Sequence, residues 1–285
     1  MTPIAFEKWQ ALGNDYLIFE ERALPFDLTT ARIRSICDPH LGVGSDGVLL
    51  LSKSENPEFV ADLRIFNPDG SEAELSGNGA REAILYLRRN GWTDADEFAI
   101  GTVAGPIRPT ITGELTCSVD MGRASTASKD FPSGGEDGRG RLEAAGRGWE
   151  FQHVSIGNPQ CAILVGAEEL DELDLGEIGP GIEGHELFPN RTNVSFLAVD
   201  GSRVRARIFE RGVGETLSSG TGASGAAVTA FLRGAESPLV VELEGGELQV
   251  AISEDLDVQL DGWAEPVFAG ELTPELLQAL AELDG

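Results

Sequence analysis

Residues 72–81 read Glu72-Ala73-Glu74-Leu75-Ser76-Gly77-Asn78-Gly79-Ala80-Arg81, and residues 215–223 read Glu215-Thr216-Leu217-Ser218-Ser219-Gly220-Thr221-Gly222-Ala223. The second run repeats the first at a fixed step of 143, which carries Glu72 to Glu215, Ser76 to Ser219, Gly79 to Gly222 and Ala80 to Ala223. Upstream, Arg64-Ile65-Phe66 returns at the same step as Arg207-Ile208-Phe209, and Gly13-Asn14 returns as Gly157-Asn158 at a step of 144. Independent matches in one order and at nearly the same spacing mark an internal duplication. Each half therefore delivers a strand, a turn, Ser-Gly-x-Gly and then a helix.

The chemistry of such a turn follows from the backbone. Glycine lets main-chain N–H groups come close to a ligand. The opening N–H groups of a helix have no acceptor inside the helix and carry partial positive charge, so they bind carboxylates or phosphates. Read singly, Ser76 or Ser219 is a helix N-cap, a role serine fills well. Read as a matched pair, the two turns are expected to enclose one small anionic ligand, with a hydroxyl on either side of it.

Composition bounds the classes of function. A chain of 285 residues, 41% hydrophobic, has room for two ordinary domains. The net charge of −27 argues against a nucleic-acid partner, because phosphate binding needs a basic footprint. Cys37, Cys117 and Cys161 form no Cys-x-x-Cys, and the histidines are His40, His153 and His185, so no metal site is expected. A sparse, odd set of cysteines suggests reduced thiols and the cytoplasm. Met1 to Gln10 lacks the pattern of a secretory signal, and no apolar run of about 18 residues suggests a membrane span.

Along the chain, Ile4 to Trp9 alternates like a strand, breaks at Gly13-Asn14-Asp15 and returns over Tyr16 to Phe19. A short helix is expected over Thr29 to Cys37, then a glycine-rich loop from Leu41 to Gly47 and a strand over Val48 to Leu51. That loop is no phosphate-binding Walker loop, since no lysine follows it. Ala61 to Asn67 reads as a strand, Pro68-Asp69-Gly70 as a turn, and Ala80 to Asn90 as a helix stopped by Gly91. Gly122 to Gly148 is poor in large apolar residues and reads as a long loop or hairpin near a domain boundary. Beyond it, strands are expected over His153 to Ile156, Cys161 to Val165, Asn193 to Val199 and Val204 to Phe209. Helical stretches are expected over Glu168 to Ile178, Gly222 to Gly234 and Pro274 to Leu283, with a hairpin over Leu239 to Ala251.

Several of these runs together resemble the diaminopimelate epimerase family over nearly the whole chain. They are Gly13-Asn14-Asp15, the segment from Phe66 to Glu74, Ser76 to Arg81, Gly157-Asn158-Pro159, the segment from Phe188 to Val194, and Glu210 to Ala223. The resemblance implies an α/β (α+β) fold of two pseudo-symmetric domains, each a barrel-like, mostly antiparallel sheet around a central helix. The expected domains are 1–122 with 265–285, and 123–264. It also implies a pyridoxal-phosphate-independent isomerase that converts LL- to meso-diaminopimelate for lysine and peptidoglycan precursor biosynthesis, as a cytoplasmic homodimer with no cofactor. The absence of a cofactor fits a chain whose only lysines, Lys8, Lys53 and Lys129, lie outside every motif. Carried onto this sequence, Asn14, Asn67, Asn158 and Asn193 would hold the distal end and polar groups of a small zwitterionic amino acid. Glu210 and Arg211 would meet its ammonium and carboxylate groups, and Gly77-Asn78 and Gly220-Thr221 its reacting carboxylate.

The departures concentrate at the chemistry. Where the family carries its two catalytic cysteines, this chain has Ser76 and Ser219; where the family has His after Gly-Asn-Pro it has Gln160, and where Gln is common in the glycine-rich loop it has Gly47. A thiol ionises near pH 8.5 and a helix start lowers that further, whereas an unassisted serine hydroxyl is a far weaker acid. Three accounts fit: cysteines deliberately replaced, a natural variant with altered chemistry such as a racemase or dehydratase of another amino or imino acid, or a member that binds an amino acid without turning it over.

Overall fold

The computed structural model describes residues 3–283; the domain limits expected at residues 1 and 285 lie outside the described residues. The chain divides into two compact units, one running to Val119 and resuming at Trp263, the other spanning Asp120–Gly262. The return has a strand-pairing cause. Glu265–Leu272 lies antiparallel to Ile4–Ala11, with Ile4 opposite Leu272 and Gln10 opposite Glu265. Phe6 faces Gly270 in this pairing, where a Cβ would stand 2.7 Å from the Phe6 ring.

In the first unit the sheet order is Glu265–Leu272, Ile4–Ala11, Asn14–Glu20, Val48–Ser52, Ala61–Phe66 and Glu72–Ala73, with Ile100–Gly101 also on Ala61–Phe66. In the second, Arg139–Ala144, Arg147–Ser155, Pro159–Leu164, Asn193–Asp200, Arg203–Glu210 and Gly214–Thr216 follow in the same manner, with Leu239–Leu243 on Arg203–Glu210. Both sheets are mostly antiparallel, and both place parallel pairs at matching steps: Asn14–Glu20 with Val48–Ser52, and Pro159–Leu164 with Asn193–Asp200. Even the register repeats, since Phe66 pairs with Glu72 and Phe209 with Glu215. An exposed ion pair repeats beside it, Arg64 Nε to Glu72 at 2.8 Å and Arg207 Nε to Glu215 at 2.9 Å. The repeated Arg and Glu of the sequence thus brace a strand ladder, each pair at roughly 1 kcal/mol or less.

A helix fills each sheet. Gly77–Arg89 packs on Ile4–Ala11, Asn14–Glu20 and Val48–Ser52. Gly220–Leu232 packs on six strands, from Arg147–Ser155 round to Gly246–Ile252, so the sheet wraps it. A helix surrounded on all sides must be thin and uniformly apolar. Its sequence obliges, with Ala226, Ala227 and Val228 fully buried. Its hydroxyls are satisfied locally: Ser224 donates to the Gly220 carbonyl at 2.9 Å and Thr229 to that of Gly225 at 2.8 Å. Thr30–Cys37 and Pro274–Glu282 close the far face of the first sheet, where Ile33, Ile36, Leu277 and Leu280 join one core. No helix among the described residues is long and apolar enough to cross a membrane.

The structure corrects or sharpens the sequence expectation at several segments. The central helices start at Gly77 and Gly220 rather than Ala80 and Gly222, because the serines ahead of them cap the first turn. Within 122–148, Arg139–Ala144 is a strand that turns through Ala145 and Gly146, both at positive φ, into Arg147–Ser155. Positive φ at both central residues gives the twist of a hairpin turn, and Leu142 and Ala144 alternate inward despite the polar composition. The stretch expected as one helix over Glu168 to Ile178 is two, Ala167–Glu172 and Leu175–Glu183. The break falls where the Asp174 carboxylate accepts the Glu177 N–H at 3.1 Å and starts a new helix.

Phe196 is fully buried in the core of the second unit, its ring 5.2 Å from that of Trp149. Phe196→Ala should cost about 3–5 kcal/mol in urea denaturation, whereas Leu164→Ala at an exposed strand position should stay within about 0.5 kcal/mol.

Candidate functional site

The two serines occupy equivalent backbone positions. Ser76 has φ −127° and ψ 123°, and its Oγ accepts the Gly79 N–H at 3.1 Å. Ser219 has φ −149° and ψ 121°, and its Oγ accepts the Gly222 N–H at 3.2 Å. The serine carbonyls also take the N–H of Ala80 and Ala223, both at 2.8 Å. The remaining opening N–H groups of each helix project from its start, where no carbonyl of the helix accepts them.

The other repeated motif arrives at the same place in each unit. Asn78 Nδ2 donates to Asn14 Oδ1 at 3.4 Å, and Asn158 Nδ2 donates to Thr221 Oγ1 at 3.1 Å. The Gly-Asn turn and the Ser-Gly-x-Gly turn, separate signals in the sequence, are therefore bonded to each other within each half. Asp46 holds the first of these junctions, its Oδ2 accepting Asn14 Nδ2 at 3.0 Å and the Asp15 N–H at 3.1 Å. Lys8 ties the glycine-rich loop to the same turn through Asp15 Oδ2 at 2.7 Å and the Gly44 carbonyl at 2.9 Å.

The serine hydroxyls have different partners. Ser219 is buried and donates to Glu210 Oε2 at 3.0 Å, and Thr216 donates to Glu210 Oε1 at 2.8 Å. Burial raises the Glu210 carboxyl above its ordinary value, opposed by those two hydroxyls. A raised carboxyl holding a hydroxyl hydrogen is the arrangement of a general base. Ser76 is half-buried and receives the Tyr16 phenol at 3.3 Å.

The remaining expected residues divide. Asn193 is buried, its Oδ1 accepting the Arg211 N–H at 2.8 Å and its Nδ2 donating to the Pro159 carbonyl at 3.3 Å. It fixes the backbone that presents Asn158 and Glu210. Asn67 donates to Ser71 Oγ at 2.9 Å and braces the turn after its strand. The Arg211 guanidinium donates to the Asn190 carbonyl at 3.1 Å, and its side chain is exposed. Gln160 donates to Asn158 Oδ1 at 2.6 Å. Asp46, Thr216 and Tyr16 escaped the sequence reading. Thr216 carries a signal in hindsight, standing next to the repeated Glu215, and Tyr16 stands two residues beyond the repeated Asn14.

The three cysteines are buried and form no disulfide. Burial, with Asp15 and Asp46, pushes the Cys37 thiol up to about 12, and burial pushes Cys161 up as well. Such thiols are poor proton carriers. His153 is buried against Phe131 with Nε2 2.9 Å from Ser128 Oγ. Among the described residues no cluster of His, Cys, Asp and Glu could hold a metal ion.

The architecture is a mixed α+β fold with a two-domain repeat, shared with solved structures of distant sequence. A phenazine biosynthesis protein of the PhzF family from Bacillus anthracis matches with a TM-score of 0.67 at 19% identity, covering 96% of this chain and 100% of that one. A probable proline racemase from Agrobacterium radiobacter matches at 0.65 and 15% identity, covering 96% and 95%. Sequence narrows the class. The diaminopimelate epimerase family model matches residues 6–127 and 152–262. A diaminopimelate epimerase of a Nostoc species is 40% identical over 95% of this chain and 96% of its own length, and that of Pelotomaculum thermopropionicum is 39% identical over 93% and 98%. The chain belongs to the diaminopimelate epimerase family.

The raised Glu210 carboxyl has a thermodynamic signature. A carboxyl higher in the folded than the unfolded state stabilises the fold fully below its unfolded value, and that advantage is lost as pH rises through the folded one. Glu210→Gln stays neutral throughout. Its stability relative to the parent should therefore increase as pH rises from about 4, the ordinary glutamate value, through the raised folded value, measured as urea midpoints; a constant or narrowing difference would sink the assignment.

Proposed function

We propose that this chain is an amino-acid epimerase of the diaminopimelate type, working without pyridoxal phosphate, in which Ser76 and Ser219 stand as the two proton-carrying groups. The observation that carries this is the Ser219–Glu210 hydrogen bond at 3.0 Å, a hydroxyl joined to a carboxyl whose buried setting favours taking a proton. In this mechanism the Cα–H bond of the substrate breaks toward Ser219 Oγ as the Ser219 hydrogen passes to Glu210. The new C–H bond forms from Ser76 Oγ on the other face. Gly77-Asn78 and Gly220-Thr221 receive the reacting carboxylate at the helix starts, which stabilises the negative charge that develops. Asn14 and Asn158, each bonded to the helix start of its own unit, are the groups this reading gives to the substrate's remaining polar atoms, with Asn67 and Asn193 bracing the turns beside them, and Arg211 meets an anionic end. The cytoplasm suits three cysteines that form no disulfide, and a homodimer is the family expectation.

Serine oxygen favours a slow enzyme or a binder, since each unit of lost acidity costs about 1.4 kcal/mol. LL-Diaminopimelate incubated in D₂O with the protein should lose its α-proton by NMR. Ser219→Ala and Glu210→Gln should each reduce that rate by about 10²–10⁴-fold, and the Ser76→Cys, Ser219→Cys double variant should exceed the parent. Exchange by the double variant alone would make the parent a binding protein on this scaffold; none in any form would remove diaminopimelate as the substrate.

A further inference from the structure

We propose that Tyr16 is the positioning residue through which Ser76 gives and regains its proton, filling in the first unit the part that Glu210 fills in the second. This rests on the reading of Ser76 and Ser219 as the proton-carrying pair. The Tyr16 ring is 5% exposed and its hydroxyl lies 3.3 Å from Ser76 Oγ. Its seat is cut by two glycines: a Cβ on Gly47 would stand 2.6 Å from ring Cε1, and one on Gly79 would stand 3.3 Å from Cε2. Gly79 is also the residue whose N–H caps Ser76. The ring is therefore braced against the same turn its hydroxyl serves, and the side chain missing at Gly47 is what leaves room for it.

The duplication shows that this contact is particular to one half. At the step of 144 the counterpart of Tyr16 is Gln160, which turns to Asn158. At the step of 143 the counterpart of Glu210 is Asn67, which turns to Ser71. Each serine thus has one side-chain partner drawn from a different position of the repeat: a carboxylate that accepts from Ser219, and a phenol that donates to Ser76. A hydroxyl that accepts both a phenol O–H and the Gly79 N–H is eased toward releasing its own hydrogen, because both donors stabilise the charge left on oxygen.

The protons balance through solvent. As the new C–H bond forms, the Ser76 O–H bond breaks and the Tyr16 hydrogen passes to Ser76 Oγ. The phenolate takes a proton from water, and the acid formed at Glu210 returns one. No electron transfer or further reagent enters.

Tyr16→Phe keeps the ring and removes the hydroxyl. In α-proton exchange with LL-diaminopimelate in D₂O, it should lower kcat by about 10- to 100-fold with KM little changed. In the Ser76→Cys background the same substitution should cost far less, because a thiol ionises without a phenol. An equal loss in both backgrounds, or no loss in the parent, overturns the proposal while leaving the epimerase reading intact. Exchange confined to the double-cysteine variant overturns it too, since Tyr16 then fails to make serine competent. No exchange in any form overturns both readings.

Discussion

At the start of each central helix, a serine oxygen accepts the backbone N–H three residues on, at 3.1 Å for Ser76 and 3.2 Å for Ser219. Each bond is worth about 1 kcal/mol as a cap, and its consequences exceed that figure. It sets the first residue of a helix that fills the sheet, so it sets where the unpaired N–H groups emerge. It also pins the one side-chain oxygen on which proton transfer would depend. The glycine that donates has no room for a side chain: a Cβ on Gly222 would meet Ile208 Cδ1 at 2.6 Å. Cap, packing and chemistry therefore share one turn, and none can change alone.

The duplication preserved this frame and let its lining diverge. Strand register, the parallel step, the exposed Arg–Glu pair and the asparagine bonded to the helix start all recur. Inside the helices the halves part. Arg81 and Glu82 are fully buried in the first, with burial raising the Glu82 carboxyl well above its usual range, while Ser224 and Gly225 stand at the matching positions of the second. Arg81 Nη2 donates to Asn78 at 2.5 Å, which ties the first helix start to its own second turn. The second helix start is held from outside, through Asn193, the Arg211 N–H and the buried Glu183, which accepts the Gly212 N–H at 2.6 Å.

Under the proposed reading, oxygen in the place of sulfur would move the chemical burden to neighbours. A thiol at a helix start loses its proton with little help, whereas a hydroxyl must share the proton with another group throughout the transfer. The cysteines that remain are buried, with Cys37 and Cys161 pushed up in pKa, and offer no substitute.

The sequence by itself determined the duplication, the two Ser-Gly-x-Gly turns ahead of a helix and the family, because these depend on local signals: glycine where the backbone must come close, serine where a helix must be capped, and matched spacing. It also carried most strands, through alternation. It left 122–148 open between a long loop and a hairpin because only Leu142 and Ala144 mark the buried face of the strand there, and it ran two helices together because the Asp174 cap is a weak signal inside an acidic run. Only the tertiary structure decided what each serine touches. In the first unit Tyr16 lies on a strand, Gly47 in the loop ahead of Val48–Ser52, and Ser76 and Gly79 together at a helix start, while Glu210, Thr216 and Ser219 lie on separate elements of the second. Their meeting depends on strand order and on the few ångströms that an absent side chain leaves open, and no periodicity along the chain encodes those distances.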